Sequence, residues 1–190
     1  MTMSFLYEPY SSLGQEIILR SNYSYPPTNN FQYQVGFNQQ SVINVSGTND
    51  HIFFSTNHYG CTSNGNLAQH YLFSDSLAKI ASWSCVTVVF NLGEKKIYVD
   101  GQLIGIDTVT VGTSNTLNYC VGGSLRFGIW WQQHQMYFEG LLDEFRLYNR
   151  VLSLDEISQL CNYNPLDVET IQKETMTISN DITARKIYVT

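Results

Sequence analysis

Apolar and polar residues alternate in short segments along most of the chain, the pattern of half-buried β-strands. Phe31–Phe37 shows it most clearly, because its aromatic and aliphatic residues fall on one face and its Gln residues on the other. Turn-forming residues separate such segments at intervals of roughly 8 to 12 residues. The predicted strands are Thr2–Pro9, Gln15–Ser21, Phe31–Phe37, Val42–Val45, His51–Ser55, Gln69–Phe73, Val86–Phe90, Lys95–Val99 and Gln102–Ile106. This spacing predicts an all-β protein, an antiparallel β-sandwich.

Two local signals fix details of the second half. Asp100-Gly101 stands between two alternating segments, and this dipeptide is a strong signal for a hairpin, because a type I′ turn needs positive φ at both central residues. Ser153 and Glu156 form a capping box, in which each side chain satisfies a backbone donor at the start of a helix. One short helix is therefore predicted over 154–161.

The stretch from Trp83 to Ile157 carries a specific succession of motifs. A tryptophan precedes an apolar strand, and then come the hairpin K-x-I-Y-V-D-G-Q-x-x-G and the segment Y-F-x-G-x-x-D-E-x-R-x-Y-N-R-x-L-S-x-x-E-I. This succession closely resembles the laminin-G-like domains of the concanavalin A-like lectin/glucanase family. The resemblance implies a jelly roll. It does not by itself assign a function, because one fold hosts many functions.

The two ends of the chain depart from the family pattern. Thr2–Pro9 resembles a strand that the family places after about the first third of its domain, so the early strands are expected to be missing or replaced. We expect the jelly-roll domain to span 1–164 and a C-terminal tail to span 165–190. The tail is predicted to be an extra strand or a linker to a following module, and a possible route to oligomers.

Composition excludes some classes of partner. Charged residues make up 14% of the chain, against about a quarter in an average domain, and the net charge is −6. An acidic chain is a poor ligand for nucleic acid or an anionic membrane surface. No run of 18 apolar residues occurs, so membrane insertion is not expected.

The cysteines and histidines show no metal-type spacing. Cys85 and Cys161 are predicted to be buried thiols, whereas Cys61 and Cys120 are the better candidates for a disulfide. The four histidines are predicted to be ordinary surface or half-buried residues. They are His51, His58, His70 and His134.

Asp143 is the first candidate for chemistry. Strand alternation predicts that it shares a face with Leu141, Phe145 and Leu147, where a carboxylate needs donors or a cation. It is expected either to accept backbone hydrogen bonds or, as the resemblance implies, to help bind a structural Ca²⁺. Glu144 and Arg146 are predicted to form a solvated ion pair.

A glycosidase reading is not favoured by the acidic residues. The related jelly-roll glucanases carry an E-x-D-x-x-E type strand, and retaining hydrolysis needs two carboxylates about 5 Å apart. Here Glu139 stands four residues before Asp143, with no acid between them. The chain is therefore not expected to be an enzyme.

The segment 128–137 is the second candidate. Adjacent residues on a strand face opposite ways, so at most one of Trp130 and Trp131 can fill the core. His134 and the neighbouring Gln residues offer hydrogen bonds beside these rings, and Tyr137 ends the segment. The alternative is one tryptophan in each of two packed layers. Sugar or protein binding through Trp130, Trp131, His134 and Tyr137 is the functional hypothesis.

These observations together predict a non-catalytic recognition module. Its expected partner is a carbohydrate or glycoprotein, bound by loops at one edge or by the concave sheet. Its expected location is the extracellular space, a cell surface or a virion surface. The competing hypothesis is a structural or adhesive protein-interaction module, such as a fibre spacer or an oligomerisation unit.

Overall fold

Two antiparallel sheets pack face to face in the computed structural model of the chain. The structure describes residues 1–11, 16–22, 30–37, 50–58, 69–117, 124–128, 137–162, 182–184 and 187–189. The elements are β1 (Thr2–Pro9), β2 (Glu16–Asn22), β3 (Asn30–Phe37), β4 (His51–Asn57), β5 (Gln69–Leu77), β6 (Ser84–Asn91), β7 (Glu94–Val99), β8 (Gln102–Thr108), β9 (Ser124–Phe127), β10 (Gly140–Tyr148), α1 (Leu154–Cys161), β11 (Ile182–Ala184) and β12 (Ile187–Val189).

The described strands confirm the predicted sandwich. Seven of them form one sheet in the order β11-β10-β1-β6-β7-β8, with β12 also paired to β10. Five form the other sheet in the order β5-β4-β3-β2-β9. The predicted strand Val42–Val45 lies outside the described residues.

The core lies between the inner faces of the two sheets. The large sheet contributes alternate residues of β1 and β6, and the five-stranded sheet contributes those of β3 and β4. These residues are Met3, Phe5, Tyr7, Val86, Val88, Phe90, Tyr33, Val35, Phe37, Ile52 and Phe54, all of them buried. Asp100 and Gly101 have φ of +51° and +78°, so the predicted hairpin turn is confirmed.

Helix α1 covers the outer face of the large sheet. Leu152 and Ile157 pack there against Val89 and Tyr98 in a second, smaller apolar cluster. The predicted capping box is present, with the Ser153 side chain and the helix backbone bonded reciprocally. Among the described residues, no helix has the length and apolar character needed to span a membrane.

A disulfide between Cys85 and Cys161 corrects the prediction that both are buried thiols. Cys85 lies on β6 and Cys161 ends α1, and the packing of α1 over the sheet brings their Cα atoms to 5.2 Å. The two residues are 76 positions apart, so no local pattern announces the bridge. Cys61 and Cys120 lie outside the described residues.

A β-bulge in β10 corrects the predicted face of Asp143. The register pairs Leu6 with Asp143 but Ser4 with Arg146, which leaves one extra residue in β10. Glu144 takes this position with φ +50°. The extra residue puts Asp143 out of step with the core-facing row that contains Phe145, because a bulge shifts the alternation of the strand.

The tail strands β11 and β12 pair antiparallel with β10 of the same chain. They extend the large sheet beyond β10. The structure offers no support for the predicted oligomerisation through the tail, because these described strands bond within the chain.

Candidate functional site

The outer face of the five-stranded sheet carries a row of aromatic and amide side chains. Val35, Phe54 and Leu72 belong to the core, so the residues that alternate with them on β3, β4 and β5 point away from it. We name this surface the aromatic face and define it by six residues: Gln34, Phe53, Ser55, Gln69, Tyr71 and Phe73.

The aromatic rings of this face lie along an edge strand. Tyr71 and Phe73 stand two residues apart on β5, with ring centroids 6.1 Å apart and planes within 12° of parallel. Both are half-buried, whereas Phe53 on the adjacent strand is buried beneath them, 6.0 Å from the Tyr71 ring. Two nearly parallel, partly exposed rings on a strand edge form a platform for a flat apolar surface.

Hydrogen-bonding groups border the rings. Gln69 donates from Nε2 to Ser55 Oγ at 3.1 Å and also bonds the Tyr71 hydroxyl. Gln34 follows on β3 and is only 4% exposed. Gln34 and Ser55 are buried, whereas the Gln69 amide and the Tyr71 hydroxyl are partly exposed beside the rings. Apolar rings next to a few fixed polar groups are the composition expected of a small-molecule site.

Arg126 extends this surface to the opposite edge of the sheet. The strand registers place it in one row with Gln34, Ser55 and Tyr71, and residues of one such row share a face. Its Nε donates to Ser124 Oγ at 3.2 Å. The outer face thus presents a guanidinium at one edge and a phenol at the other.

The predicted binding segment 128–137, which we call the tryptophan loop, has described residues at both of its ends, which form its base. Trp130, Trp131 and His134 lie outside the described residues. At the base, Phe138 donates its backbone N–H to the Gly128 carbonyl at 3.0 Å and packs its buried ring against that of Phe37, with centroids 6.5 Å apart. Tyr137, the described member of the predicted site, is exposed over 51% of its surface.

The loop base stands at the end of the sheet that carries Phe53 and Phe73. Gly128 donates its backbone N–H to the Ile17 carbonyl at 2.8 Å. Glu16, one residue before Ile17, belongs to the row that runs through Gly36 to Phe53 and Phe73. The loop and these two rings are therefore anchored at the same ends of their strands.

The described residues around Asp143 do not form a calcium site. Its Oδ1 accepts a hydrogen bond from the backbone N–H of Glu144 at 2.8 Å. Asp107, another acidic residue of the same sheet, lies on β8, four strands from β10 and therefore about 19 Å away. No group of three or more His, Cys, Asp or Glu residues within the described ranges could hold a metal ion. Calcium binding, which needs six or more oxygens, stays a prediction.

A buried polar cluster at the other end of the sandwich was not predicted. The Lys95 side chain is fully buried, and its Nζ donates to the carbonyl oxygens of Phe54 at 2.5 Å and His70 at 2.8 Å. Burial lowers the pKa of Lys95 well below its usual range. His58 is also buried, and it donates from Nδ1 to the Thr116 carbonyl at 2.6 Å.

Strand alternation in the sequence contains a signal for both the aromatic face and the buried Lys95. Gln69, Tyr71 and Phe73 stand two apart, so strand alternation alone puts them on one face. Lys95 likewise alternates with the core residue Ile97, which marks it as a lysine on a core face. In each case the alternation shows which residues lie together, but the side of the strand that faces solvent depends on the packing of the sheets.

The chain has relatives by family and by fold. Residues 20–158 match a laminin G family model described as the concanavalin A-like lectin/glucanases superfamily, which confirms the resemblance read from the sequence. Among curated proteins, none matches the chain.

Three solved structures of the same fold are similar to the chain. The native heptameric SAP-like pentraxin from Limulus polyphemus is 12% identical, with a TM-score of 0.59 over 97% of this chain and 82% of its own. The Ruminococcus gnavus IT-sialidase CBM40 bound to α2,3 sialyllactose is 14% identical, with a TM-score of 0.59 and coverages of 84% and 81%. Domain 4 of AbnA, a GH43 extracellular arabinanase from Geobacillus stearothermophilus, in complex with arabinotriose, is 14% identical, with a TM-score of 0.56 and coverages of 84% and 65%.

At these identities the similarity concerns the fold. The family assignment rests instead on the sequence match, which extends from β2 through most of α1. Because this match covers well over half of the sequence, the chain belongs to the concanavalin A-like lectin/glucanases superfamily.

Proposed function

We propose that the chain is a non-catalytic module that binds carbohydrate or glycoconjugate through the aromatic face. The observation that carries this proposal is the pair of nearly parallel, half-buried rings of Tyr71 and Phe73 beside the Gln69 amide. A sugar ring has an apolar C–H surface that packs on such plates and hydroxyls that bond to amides. The surface thus matches both the apolar C–H face and the hydroxyl groups of a sugar.

The tryptophan loop is part of the same proposal. Its base lies at the end of the sheet where Phe53 and Phe73 stand, and Tyr137 beside the base is exposed. Trp130, Trp131 and His134 are proposed to add contacts to a glycan that lies on the sheet. Structural relatives support the class of ligand, since two of them are described in complex with sialyllactose and with arabinotriose.

Spacing of the acidic residues supports a non-catalytic role. Glu139 and Asp143 are four residues apart on an extended segment, or about 13 Å. Retaining glycosidases hold their two carboxylates about 5 Å apart and inverting ones about 6.5–9.5 Å. The Glu139 carboxylate also accepts a hydrogen bond from Ser11 Oγ at 3.3 Å.

An extracellular or surface location is proposed from the Cys85–Cys161 disulfide. Disulfides persist in oxidising compartments and are rare in the cytosol. The extracellular, cell-surface or virion-surface setting expected from the sequence fits this bridge. The alternative of a structural or adhesive module stays a prediction, and the experiment below decides between them.

A glycan array with the purified chain tests the proposal, run with Ca²⁺ and again with a chelator. We expect a saturable hit whose affinity falls about tenfold or more in Tyr71→Ala and Phe73→Ala, since about 1.4 kcal/mol of lost ring contact is a factor of ten. Leu154→Ala is the control, because Leu154 is 59% exposed on α1, at the outer face of the other sheet. A hit that disappears with chelator would establish the calcium requirement.

The outcomes separate the alternatives. A hit lost in Trp130→Ala or Trp131→Ala but unchanged in Tyr71→Ala and Phe73→Ala would place the site in the loop and refute the aromatic face. A folded, monodisperse protein with no hit under either condition would refute carbohydrate binding and favour the structural module.

A further inference from the structure

A pocket of about 350 Å³ opens on the outer face of the large sheet, away from the aromatic face. Its walls are the last part of β10, the segment that follows it, and α1. Two of the chain's five arginines, Arg146 and Arg150, line it together with Tyr148 and the amides of Gln159 and Asn162. The Glu156 carboxylate and two leucines complete the lining, so the pocket combines several donor groups with one acidic group and apolar surface.

Arg150 is held in place by the cap of the helix. Glu156 accepts from Arg150 Nη2 at 2.7 Å and from Nη1 at 3.0 Å, and it also accepts the backbone N–H of Ser153 at 2.8 Å. The guanidinium carbon lies 5.9 Å from the centre of the Tyr148 ring. A bidentate pair fixed by the capping box gives this wall of the pocket a defined geometry.

Arg146 presents donors that no described residue uses. Its Nη2 forms an ion pair with Glu144, whose side chain is only 5% exposed. This corrects the predicted solvated pair, because both charges are largely removed from water. No described residue accepts a hydrogen bond from Arg146 Nε or Nη1, although its side chain is only 21% exposed. A partly buried guanidinium with two unused N–H directions lies on the wall of an open pocket.

We propose that this pocket binds an oxyanion, a carboxylate or a sulfate, through the free edge of Arg146. The planar guanidinium offers parallel N–H groups that match two oxygens of such a group. The Gln159 and Asn162 amides supply further donors. Glu144 and Glu156 already neutralise both arginines, so the attraction of the pocket for an anion depends on hydrogen-bond geometry at short range. A neutral sugar lacks the two charged oxygens that match the guanidinium and therefore binds more weakly.

This site is independent of the proposed glycan face, since the two lie on the outer faces of different sheets. Loss of binding at one therefore leaves the other measurable. An acidic glycan would carry the required group, but so would a free anion, and the experiment compares these sources.

Side-chain NMR of the whole chain tests the proposal. Sodium sulfate, sodium glucuronate and neutral glucose are titrated separately, with ionic strength held constant by sodium chloride. We expect sulfate and glucuronate to shift the Arg146 Nε–H signal and the Gln159 and Asn162 amide signals saturably, while glucose does not. The side-chain amide signal of Asn91, exposed at the end of β6 and outside both proposed sites, is the internal reference.

Variants of Arg146 then distinguish binding through parallel N–H donors from binding through positive charge alone. Arg146→Lys keeps the charge but loses the parallel donors, so we expect binding about tenfold weaker or worse. Lys79→Arg, which also keeps its charge and lies exposed outside the pocket, is the control. If Arg146→Lys does not fold because Glu144 loses its partner, the pair variant Glu144→Gln with Arg146→Gln removes both charges. Absence of saturable shifts in the wild-type chain, or equal affinity in the Arg146 variants, overturns the proposal. Equal shifts with glucose also overturn it.

Discussion

Lys95 Nζ on β7 lies 2.8 Å from the carbonyl oxygen of His70 on β5, so one side chain joins the two sheets through the core. The same amine bonds the Phe54 carbonyl and lies 4.8 Å from the centre of the Phe54 ring. An ammonium group buried in this way is costly unless its hydrogen bonds are satisfied. Burial is the main reason that the pKa of Lys95 is low, and the carboxylate of Asp107 opposes this only in part.

The first prediction concerns stability at alkaline pH. The pKa of Lys95 is lower in the folded chain than its ordinary 10.5, so between the two values the unfolded state binds more protons. The free energy of unfolding therefore increases as the pH rises through this window. We expect the wild-type chain to gain stability relative to Lys95→Met as the pH rises towards 10.5, as measured by urea denaturation.

Lys96→Met is the control for this series. Lys96 is the adjacent lysine, and its hydrogen bond to Glu94 raises its pKa. The stability difference between the wild-type chain and Lys96→Met should therefore show no such gain with rising pH. If the difference between wild type and Lys95→Met is the same at all pH values, the pKa of Lys95 is ordinary and this prediction is wrong.

The second prediction concerns acid. Burial lowers the pKa of His58 and of His70 below 6.5, and Lys95 lowers both further. The unfolded state then binds more protons between these folded values and 6.5, so stability is lost as the pH falls through that window. We expect the urea concentration at the midpoint of unfolding to decrease as the pH is lowered below 6.5. This decrease should be smaller in His58→Gln.

Most of the fold could be predicted from strand alternation, because this pattern depends only on residues that are close in the sequence. It found β3 and the β7–β8 hairpin, and the capping box found α1 to the residue. It failed at Asp143, where one inserted residue with positive φ breaks the period of two. A bulge is set by pairing with the neighbouring strand, which a single strand pattern does not contain.

The candidate site was less accessible to sequence reasoning. The aromatic face joins residues of three strands, and their common surface follows from the registers between β3, β4 and β5. The pocket at Arg146 and Arg150 needs the position of α1, which only tertiary packing supplies. The same packing brings Cys161 to Cys85, so the pattern of isolated cysteines could not reveal their bridge.

The third prediction concerns that bridge. Joining residues 76 positions apart restricts the unfolded chain, and loop-closure entropy gives about 4 kcal/mol of stabilisation for such a loop. We expect Cys85→Ser with Cys161→Ser to lower the free energy of unfolding by about 2–5 kcal/mol under oxidising conditions. The measurement is urea denaturation with and without a reductant. Equal stability of the variant and the oxidised wild type would show that the bridge contributes nothing.

The last prediction concerns Gly140, which begins β10 beside the base of the tryptophan loop. A Cβ atom added there would lie 2.3 Å from the Glu8 carbonyl oxygen and 2.7 Å from the Phe138 ring. The backbone of β1 cannot give way without breaking its pairing with β10. We expect Gly140→Ala to destabilise the chain by about 1–3 kcal/mol or more, as overpacking does.

Gly101→Ala separates this clash from backbone strain. Gly140 has a φ of +159° and Gly101 a φ of +78°, but a Cβ added at Gly101 would come no closer than 3.6 Å to a neighbour. Its substitution should therefore cost only the strain of a left-handed residue, about 1–2 kcal/mol. Urea denaturation of both variants gives the comparison, and a Gly140→Ala chain as stable as Gly101→Ala would contradict the contact with Glu8. If Gly140→Ala folds, the shifted Phe138 should also weaken any glycan binding that depends on the loop, while binding that depends on Tyr71 and Phe73 alone persists.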